Sequence, residues 1–397
     1  MNGTAAALTN HTVVIPTYNR PEFVSRLVTY YRDVAPQLPL VVLDSSRDEI
    51  VAANKRSLCR FGDAVRHRVF PSTMPVIDKL AAGVAEVATP YVSLCADDDI
   101  VFPAALREAV RFLAGNPDYV SAHGLYLNFR VAGHQVHITR EYSGSGNEAA
   151  SAARRIFTLC QHYESLYYAV FRTADLQHVM TGATALPTLH FQELFQSVAA
   201  LIRGKVKRFP SFYGGRQSCD PAEPERDKWQ TYYWFADNAA EMLADYAAYR
   251  DQTWRFYREY GPTSDLDEEG FLRVLDLAHA VYFSAGCPPQ YFLRRLAPYW
   301  PDEPDVSPQH DLLQDLRPAS PDRAIGRTVA FVNRVRRQWR RRVRARWTAA
   351  RDELDHAIQH SAKAPWACRL PSELEWLATL PEFRGAFGEL CRYLDHS

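Results

Sequence analysis

Short runs of apolar, largely β-branched residues alternate with amphipathic stretches over the first half of the chain. Thr12-Val13-Val14-Ile15 stops at Pro16, and Leu40-Val41-Val42-Leu43 stops at Asp44. Val69-Phe70 is a shorter run, and Tyr91-Val92-Ser93-Leu94-Cys95 leads into Asp97-Asp98-Asp99. Between them lie helical patterns. One starts at Pro21 with Phe23, Leu27, Tyr30 and Tyr31 on one stripe, one covers 75–88, and one opens at Pro103, a residue suited to a first helical turn. Strands without a polar face, separated by helices, predict a mostly parallel sheet covered on both sides, an α/β architecture.

Beyond about residue 119 the pattern changes. Tyr119–Val131 and Gln135–Arg140 read as a hairpin around Ala132-Gly133-His134, and 141–151 as a glycine-containing loop. Tyr167–Phe171 and Val206–Tyr213 read as strands, with a helix over 190–203 between them. Ser218–Asp227, rich in proline and charge, predicts a boundary, giving a first domain over 1–218 and a helical second one over 219–397. Helices are expected over 228–260, 267–285, 322–347, 349–361 and 372–394, with a Pro- and Asp-rich loop over 300–322.

Composition narrows the function. Lys+Arg and Asp+Glu are 46 each, so no global field favours nucleic acid. With 47% hydrophobic and 23% charged residues the 397-residue chain is globular, and its length suits two domains of roughly 150 residues or more. The seven Cys are scattered without a CxxC pair, which argues against a disulfide framework or a zinc site and for a reducing, cytoplasmic setting. No signal peptide and no run of ~18–20 apolar residues is legible, so no membrane span is expected.

The candidate chemistry sits at strand ends, where open α/β sheets bind ligands. Asp44 ends the second strand and Asp97, Asp98 and Asp99 follow a later one. Hard oxygen ligands in this density suit Mg²⁺ or Mn²⁺ bridging the protein to a diphosphate, the ion acting as Lewis acid for the departing phosphate. The plainer reading is that the run caps the helix at Pro103, for which one acid would suffice.

Val13-Val14-Ile15-Pro16-Thr17-Tyr18-Asn19-Arg20, then Val41–Ser46, then Tyr91–Asp99 and Pro103, together resemble the family-2 type of GT-A-fold glycosyltransferases. The resemblance covers roughly residues 11–216 and is densest before 125. It implies transfer of a sugar from a nucleotide-sugar donor, with a divalent metal and inversion at the anomeric carbon. It implies that Pro16, Thr17, Tyr18, Asn19 and Arg20 border the nucleotide, that Asp44 contacts base or ribose, and that the DxD acids hold ribose and metal. The chain departs from the family's pattern in three places. The acid run can be read as Ala96/Asp98 or as Asp97/Asp99; Asp44-Ser45-Ser46 replaces Asp-Asp-Gly-Ser; and the Arg-Asn pair before the DxD strand is missing, leaving Lys79 to supply charge near the diphosphate.

An inverting transfer needs a base opposite the leaving phosphate. His190-Phe191-Gln192-Glu193 is the best match, with Glu193 the candidate base and His190 second; a solvated helical Glu is the plainer alternative. Arg155, Arg172 and Arg216 are candidate phosphate clamps, His123 could approach the site, and His134 and His137 belong to the hairpin surface.

Residues 330–350 carry eight Arg and no acid, with Val332, Val335, Trp339, Val343 and Trp347 at helical spacing. This basic amphipathic helix fits a peripheral contact with anionic membrane or packing on its own domain, and a nucleic-acid patch is a third reading that the neutral remainder of the chain disfavours. The leading expectation is thus a metal-dependent glycosyltransferase acting on a glycan or lipid-linked acceptor in surface polysaccharide or glycolipid synthesis. The alternatives are an aspartyl-nucleophile phosphatase using Asp97/Asp99, since Asp97-Asp98-Asp99-Ile100-Val101 also fits DxDxV, and a non-catalytic glycan-binding module. A nucleotidyltransferase would want a Gly-rich loop after the first strand, and none is present.

Overall fold

The computed structural model describes residues 8–141, 146–218, 238–262, 266–284 and 366–396 apart from 373. The expected boundary over 218–227 falls almost wholly outside these residues, and the loop over 300–322 and the basic segment over 330–350 fall entirely outside them.

Four strands form the parallel heart of the sheet: β1 (His11–Thr17), β2 (Leu40–Asp44), β3 (Val65–Val69) and β4 (Tyr91–Leu94), in the spatial order β3-β2-β1-β4. Their period-two alternation sends neighbouring side chains into two different cores. Val13, Ile15, Leu40 and Val42 face one; Val14, Val41, Leu43, Val92 and Leu94 face the other. This explains the runs without polar interruption, since each fully buried Val or Leu contributes about 1.5–3 kcal/mol. The third strand starts four residues before the expected Val69-Phe70. Val65-Arg66-His67-Arg68-Val69 lies at the sheet edge, so it needs no continuous apolar run, and its charged residues suit an edge.

The first core is covered by α1 (Pro21–Val34), α2 (Asp48–Leu58) and α4 (Pro103–Gly115), the second by α3 (Val76–Ala85), α5 (Ala152–Gln161), α6 (Thr173–Thr184) and α7 (Leu189–Arg203). Of these, α2, α5 and α6 were not legible in the sequence pattern. Beyond β4 the sheet continues in mixed sense. Strands β6 (Tyr119–Ala132) and β7 (Gln135–Glu141) make the expected hairpin, with Ala132 opposite Gln135 and Gly133 at φ 59°, a left-handed conformation that suits its two-residue turn. Strand β8 (Val170–Arg172) lies antiparallel between β4 and β6. Strand β9 (Lys205–Gln217) runs parallel to β6 and also pairs the two-residue β5 (Ile100–Val101) that follows the acid run.

The described parts of the second half share these cores. Helices α8 (Ala239–Tyr260) and α9 (Glu268–Ser284) pack on α7 and α5 through Met242, Tyr249, Phe256, Phe271 and Leu275. The helix expected over 372–394 is instead a 3₁₀ turn (Glu375–Thr379) and α10 (Pro381–Leu394), because Pro381 is compatible only with a first helical turn. A further short strand, β10 (Ala367–Arg369), joins the sheet edge parallel to β7. Helix α10 packs on α1 and β9, with Phe383, Phe387, Leu390 and Tyr393 in the first core. No described helix is long and apolar enough to cross a membrane.

Candidate active site

Strands β1, β2 and β4 end side by side, with Thr17 opposite Asp44 and Cys95 donating to Val14 O, so three loops meet at one sheet edge. Pro16 lies past Val14↔Leu94, the last pair between β1 and β4, where its missing N–H leaves no ladder partner unsatisfied on that side. Asn19 takes φ 56°, tolerated by Asn, and ties two of the loops together. Its N–H donates to Ser46 Oγ at 2.8 Å and its Oδ1 accepts from Arg47 N–H at 3.0 Å. Tyr18 beside it is half-exposed.

Asp44 is wholly buried. Its Oδ2 accepts from Asn54 Nδ2 at 2.8 Å and lies 3.0 Å from His67 Nε2, while Oδ1 accepts from Ser46 N–H at 2.9 Å. Burial pushes its carboxyl up, but the hydrogen bonds from His67, Ser46 and Asn54 together outweigh this and hold it well below the usual range. Asp44 therefore fixes the β2 loop, and of the groups around it His67 keeps a partly exposed side chain. Neither Asn54 nor His67 stood out in the sequence. Each sits among other polar and charged residues of its element, and only the fold turns both toward one acid.

Lys79 on α3 is also buried, donating from Nζ to Thr17 O at 2.9 Å and to Ser45 Oγ at 2.7 Å. Burial lowers its pKa to about 8, against the opposing pull of Asp44 and Asp97. It braces the loops after β1 and β2 from beneath.

The three consecutive acids point to different partners. Asp97 is buried; its Oδ2 accepts from Thr17 Oγ1 at 2.6 Å and its Oδ1 lies 2.6 Å from Arg20 Nη2. That ion pair is close, yet its angle provides no aligned hydrogen bond to the buried Oδ1. Burial, only partly offset by Arg20 and Thr17, raises the Asp97 pKa to about 6. Asp98 keeps 14% of its side chain exposed, and its Oδ2 accepts from Arg20 Nη1 at 2.7 Å. Asp99 turns inward, accepting from Tyr168 Oη and, at 2.7 Å, from Gln217 N–H, with Arg216 Nε 3.8 Å away. Burial and the neighbouring Asp98 raise its pKa. The arrangement sorts the run: Asp99 anchors the end of β9, while Asp97 and Asp98 face the loops after β1. Asp99, the second acid of the DxDxV reading, is committed to Tyr168 Oη and the Gln217 N–H.

Glu193 on α7 is solvent-exposed, yet it is closely surrounded by protein, within electrostatic reach of Tyr163, Tyr167, Tyr282 and Arg216. The crowding raises its carboxyl above the ordinary range, and Arg216 opposes this. Arg216, lying between Asp99 and Glu193, has its guanidinium 5.2 Å from the centre of the Tyr168 ring. His190 packs against Phe191 and lies within electrostatic reach of His279, on the side of α7 that meets the C-terminal helices.

Two of the three candidate clamps lie elsewhere. Arg155 donates to the carbonyls of Ala149, Ala150 and Leu201, and Arg172 to those of Leu113, Asn116 and Tyr119; both close loops rather than face the acids. His123 is buried, stacked on Tyr126 with Nδ1 3.2 Å from Gly124 O.

Among the described residues no group of three or more His, Cys, Asp or Glu is arranged to hold a metal. The donors fit a different kind of site, in which one or two carboxylates hold the ion and substrate phosphates and water complete its shell. The buried, poorly satisfied Asp97 Oδ1 and the partly exposed Asp98 are hard oxygen donors of that kind.

Comparison with known proteins gives a family match. The sequence model described as "Glycosyl transferase family 2" matches residues 12–175, a span holding every strand-end acid described above. Among solved structures, Staphylococcus aureus TarS 1-349 in complex with UDP-GlcNAc shares 15% identity over 73% of this chain and 78% of its own, with a TM-score of 0.48. The mannosyltransferase PcManGT from Pyrobaculum calidifontis in complex with GDP-Man and Mn²⁺ shares 15% over 74% and 81%, with a TM-score of 0.38. No curated protein sequence matches the chain.

Proposed function

Residues 12–175 are a glycosyltransferase domain of family 2, and from that premise we propose that the protein moves a sugar from a nucleotide-sugar donor to a hydroxyl of a glycan or lipid-linked acceptor, with inversion. The observation that supports this most is the convergence of Thr17, Arg20, Asp97 and Asp98 at the sheet edge, opposite Arg216 and Glu193 on β9 and α7.

In this reading the nucleotide lies across the loops after β1 and β2. Tyr18 offers an exposed ring to the base, and Asp44 acts through His67 and the Ser45-Ser46 loop that it orients. Arg20, with Lys79 beneath it and Arg216 opposite, surrounds the diphosphate with positive charge. Asp98, with Asp97, would hold Mg²⁺ or Mn²⁺, which when bound supplies Lewis-acid neutralisation of the leaving diphosphate. Glu193 accepts the proton of the attacking hydroxyl; its raised carboxyl brings it closer to neutral pH, where a general base is most effective. The acceptor belongs to surface polysaccharide or glycolipid synthesis, reached through peripheral contact of the 330–350 segment with anionic membrane.

The test is a thermal-shift and calorimetric screen of UDP, GDP and their sugar conjugates, with Mn²⁺ and with chelator. Stabilisation by one nucleotide class, stronger with the metal, supports the reading. No stabilisation by any of them would refute it.

A further inference from the structure

Arg20 stands at the N-cap position of α1, with its guanidinium partly exposed above the sheet edge. Its two terminal nitrogens divide between consecutive carboxylates: Nη2 lies 2.6 Å from Asp97 Oδ1 and Nη1 2.7 Å from Asp98 Oδ2. These are the two acids facing the candidate diphosphate position, since Asp99 is taken up by Tyr168, Gln217 and Arg216. A divalent ion coordinated by Asp97 or Asp98 would compete for carboxylates whose Oδ1 and Oδ2, respectively, already carry the fork. It would also stand within a few ångströms of a permanent positive charge.

We infer that Arg20 occupies the cation position of the nucleotide-free protein, so that metal and guanidinium exclude one another at Asp97 and Asp98. A diphosphate resolves the competition. Its oxygens give the displaced fork a new bidentate partner, for which guanidinium geometry is well suited. Metal alone must displace Arg20 with nothing to receive it, and nucleotide alone meets an Arg20 still tied to the acids. Together they drive one exchange: Arg20 passes from carboxylates to phosphate as the ion passes onto the carboxylates. This gives a coupling between metal and nucleotide beyond direct metal–phosphate contact, equal in both directions by linkage. The inference rests on the nucleotide-sugar reading for the identity of the phosphate ligand, but the competition at Asp97 and Asp98 needs only the metal to be observed.

Calorimetry, or the EPR signal of free Mn²⁺, measures Mn²⁺ binding to the full chain without nucleotide, for wild type, Arg20→Gln and Arg20→Lys. UDP and GDP are titrated separately with Mn²⁺ and with chelator. The expected result is that Arg20→Gln binds Mn²⁺ alone about 10-fold or more tightly than wild type, and that Arg20→Lys, a single point charge without a fork, falls between. The factor by which Mn²⁺ strengthens nucleotide binding should shrink in Arg20→Gln. Adding Asp98→Asn to Arg20→Gln should remove the gained Mn²⁺ affinity. The Asp98→Asn control separates a gain at this site from non-specific binding by a misfolded chain, and an Arg20→Gln protein that binds Mn²⁺ no better than wild type overturns the inference. Failure of UDP and GDP to bind wild type under any condition would refute the nucleotide reading instead, while the Mn²⁺ comparison still decides the role of Arg20.

Discussion

Replacing Tyr393 by Phe tests whether the end of the chain supports the site at the other end of the sequence. Tyr393 is fully buried on α10, and its Oη accepts from Arg26 Nη2 at 2.7 Å. The same nitrogen lies 2.7 Å from Gln217 Oε1, and the backbone N–H of Gln217 donates to Asp99 at 2.7 Å. One short chain of hydrogen bonds thus runs from the C-terminal helix to the acid run. Tyr393→Phe retains the ring, whose centre is 4.3 Å from the Arg26 guanidinium, so the cation–π contact survives and no cavity opens. What is lost is one acceptor to a buried charged group, about 1.5–3 kcal/mol. At about 2 °C per kcal/mol for a chain of this size, Tm should fall by about 3–6 °C. Scanning calorimetry at matched scan rates reads the shift, and urea denaturation should give an unchanged m-value. A Tm within about 1 °C of wild type would show that Arg26 finds an equivalent acceptor and that the chain of bonds carries no energy.

Four further outcomes follow from the same geometry. Glu193→Gln should keep nucleotide binding and lose ~10²–10⁴ in transfer rate once an acceptor is known, and transfer within a few-fold of wild type would return attention to another acid. Gly214→Ala should destabilise by about 1–3 kcal/mol in denaturant, because the added Cβ would stand 2.3 Å from Ile100 O, a backbone atom that cannot turn aside. Burial lowers the pKa of His123 to about 3 from 6.5, so the unfolded chain takes up a proton there first as pH falls, and the stability this contributes above pH 6.5 is lost toward pH 3. His123→Gln should therefore lose about 2 kcal/mol less stability between pH 7 and pH 5 than wild type does, measured by denaturant titration at both values. The protein should co-sediment with anionic liposomes at low salt and release at high salt, and replacing Arg340, Arg341, Arg342 and Arg344 by Gln should weaken this; no sedimentation at low salt would argue for a packed 330–350 segment.

The sequence by itself determined the parallel heart of the fold and the acids that close its strands. Strands buried on both faces must be continuously apolar, and polar residues can reappear only where such a strand emerges, so Asp44 and Asp97–Asp99 mark where β2 and β4 leave the sheet. Three edge or very short strands escaped this logic. The polar β3 and the two-residue β5 carry no periodic signal, and β10 exists only because β7 presents an open edge to it. The contacts of the individual acids were likewise decided by tertiary structure. Three adjacent acids are equivalent in sequence, but the close of β9 against Asp99 and the reach of Arg20 to Asp97 and Asp98 make them different. The partners that decide this, Asn54, His67, Tyr168, Arg216 and Gln217, lie between 10 and 118 residues from the acids they hold. Local pattern reports whether a side chain is buried; which charge it meets there depends on long-range packing, and that packing has no local signature.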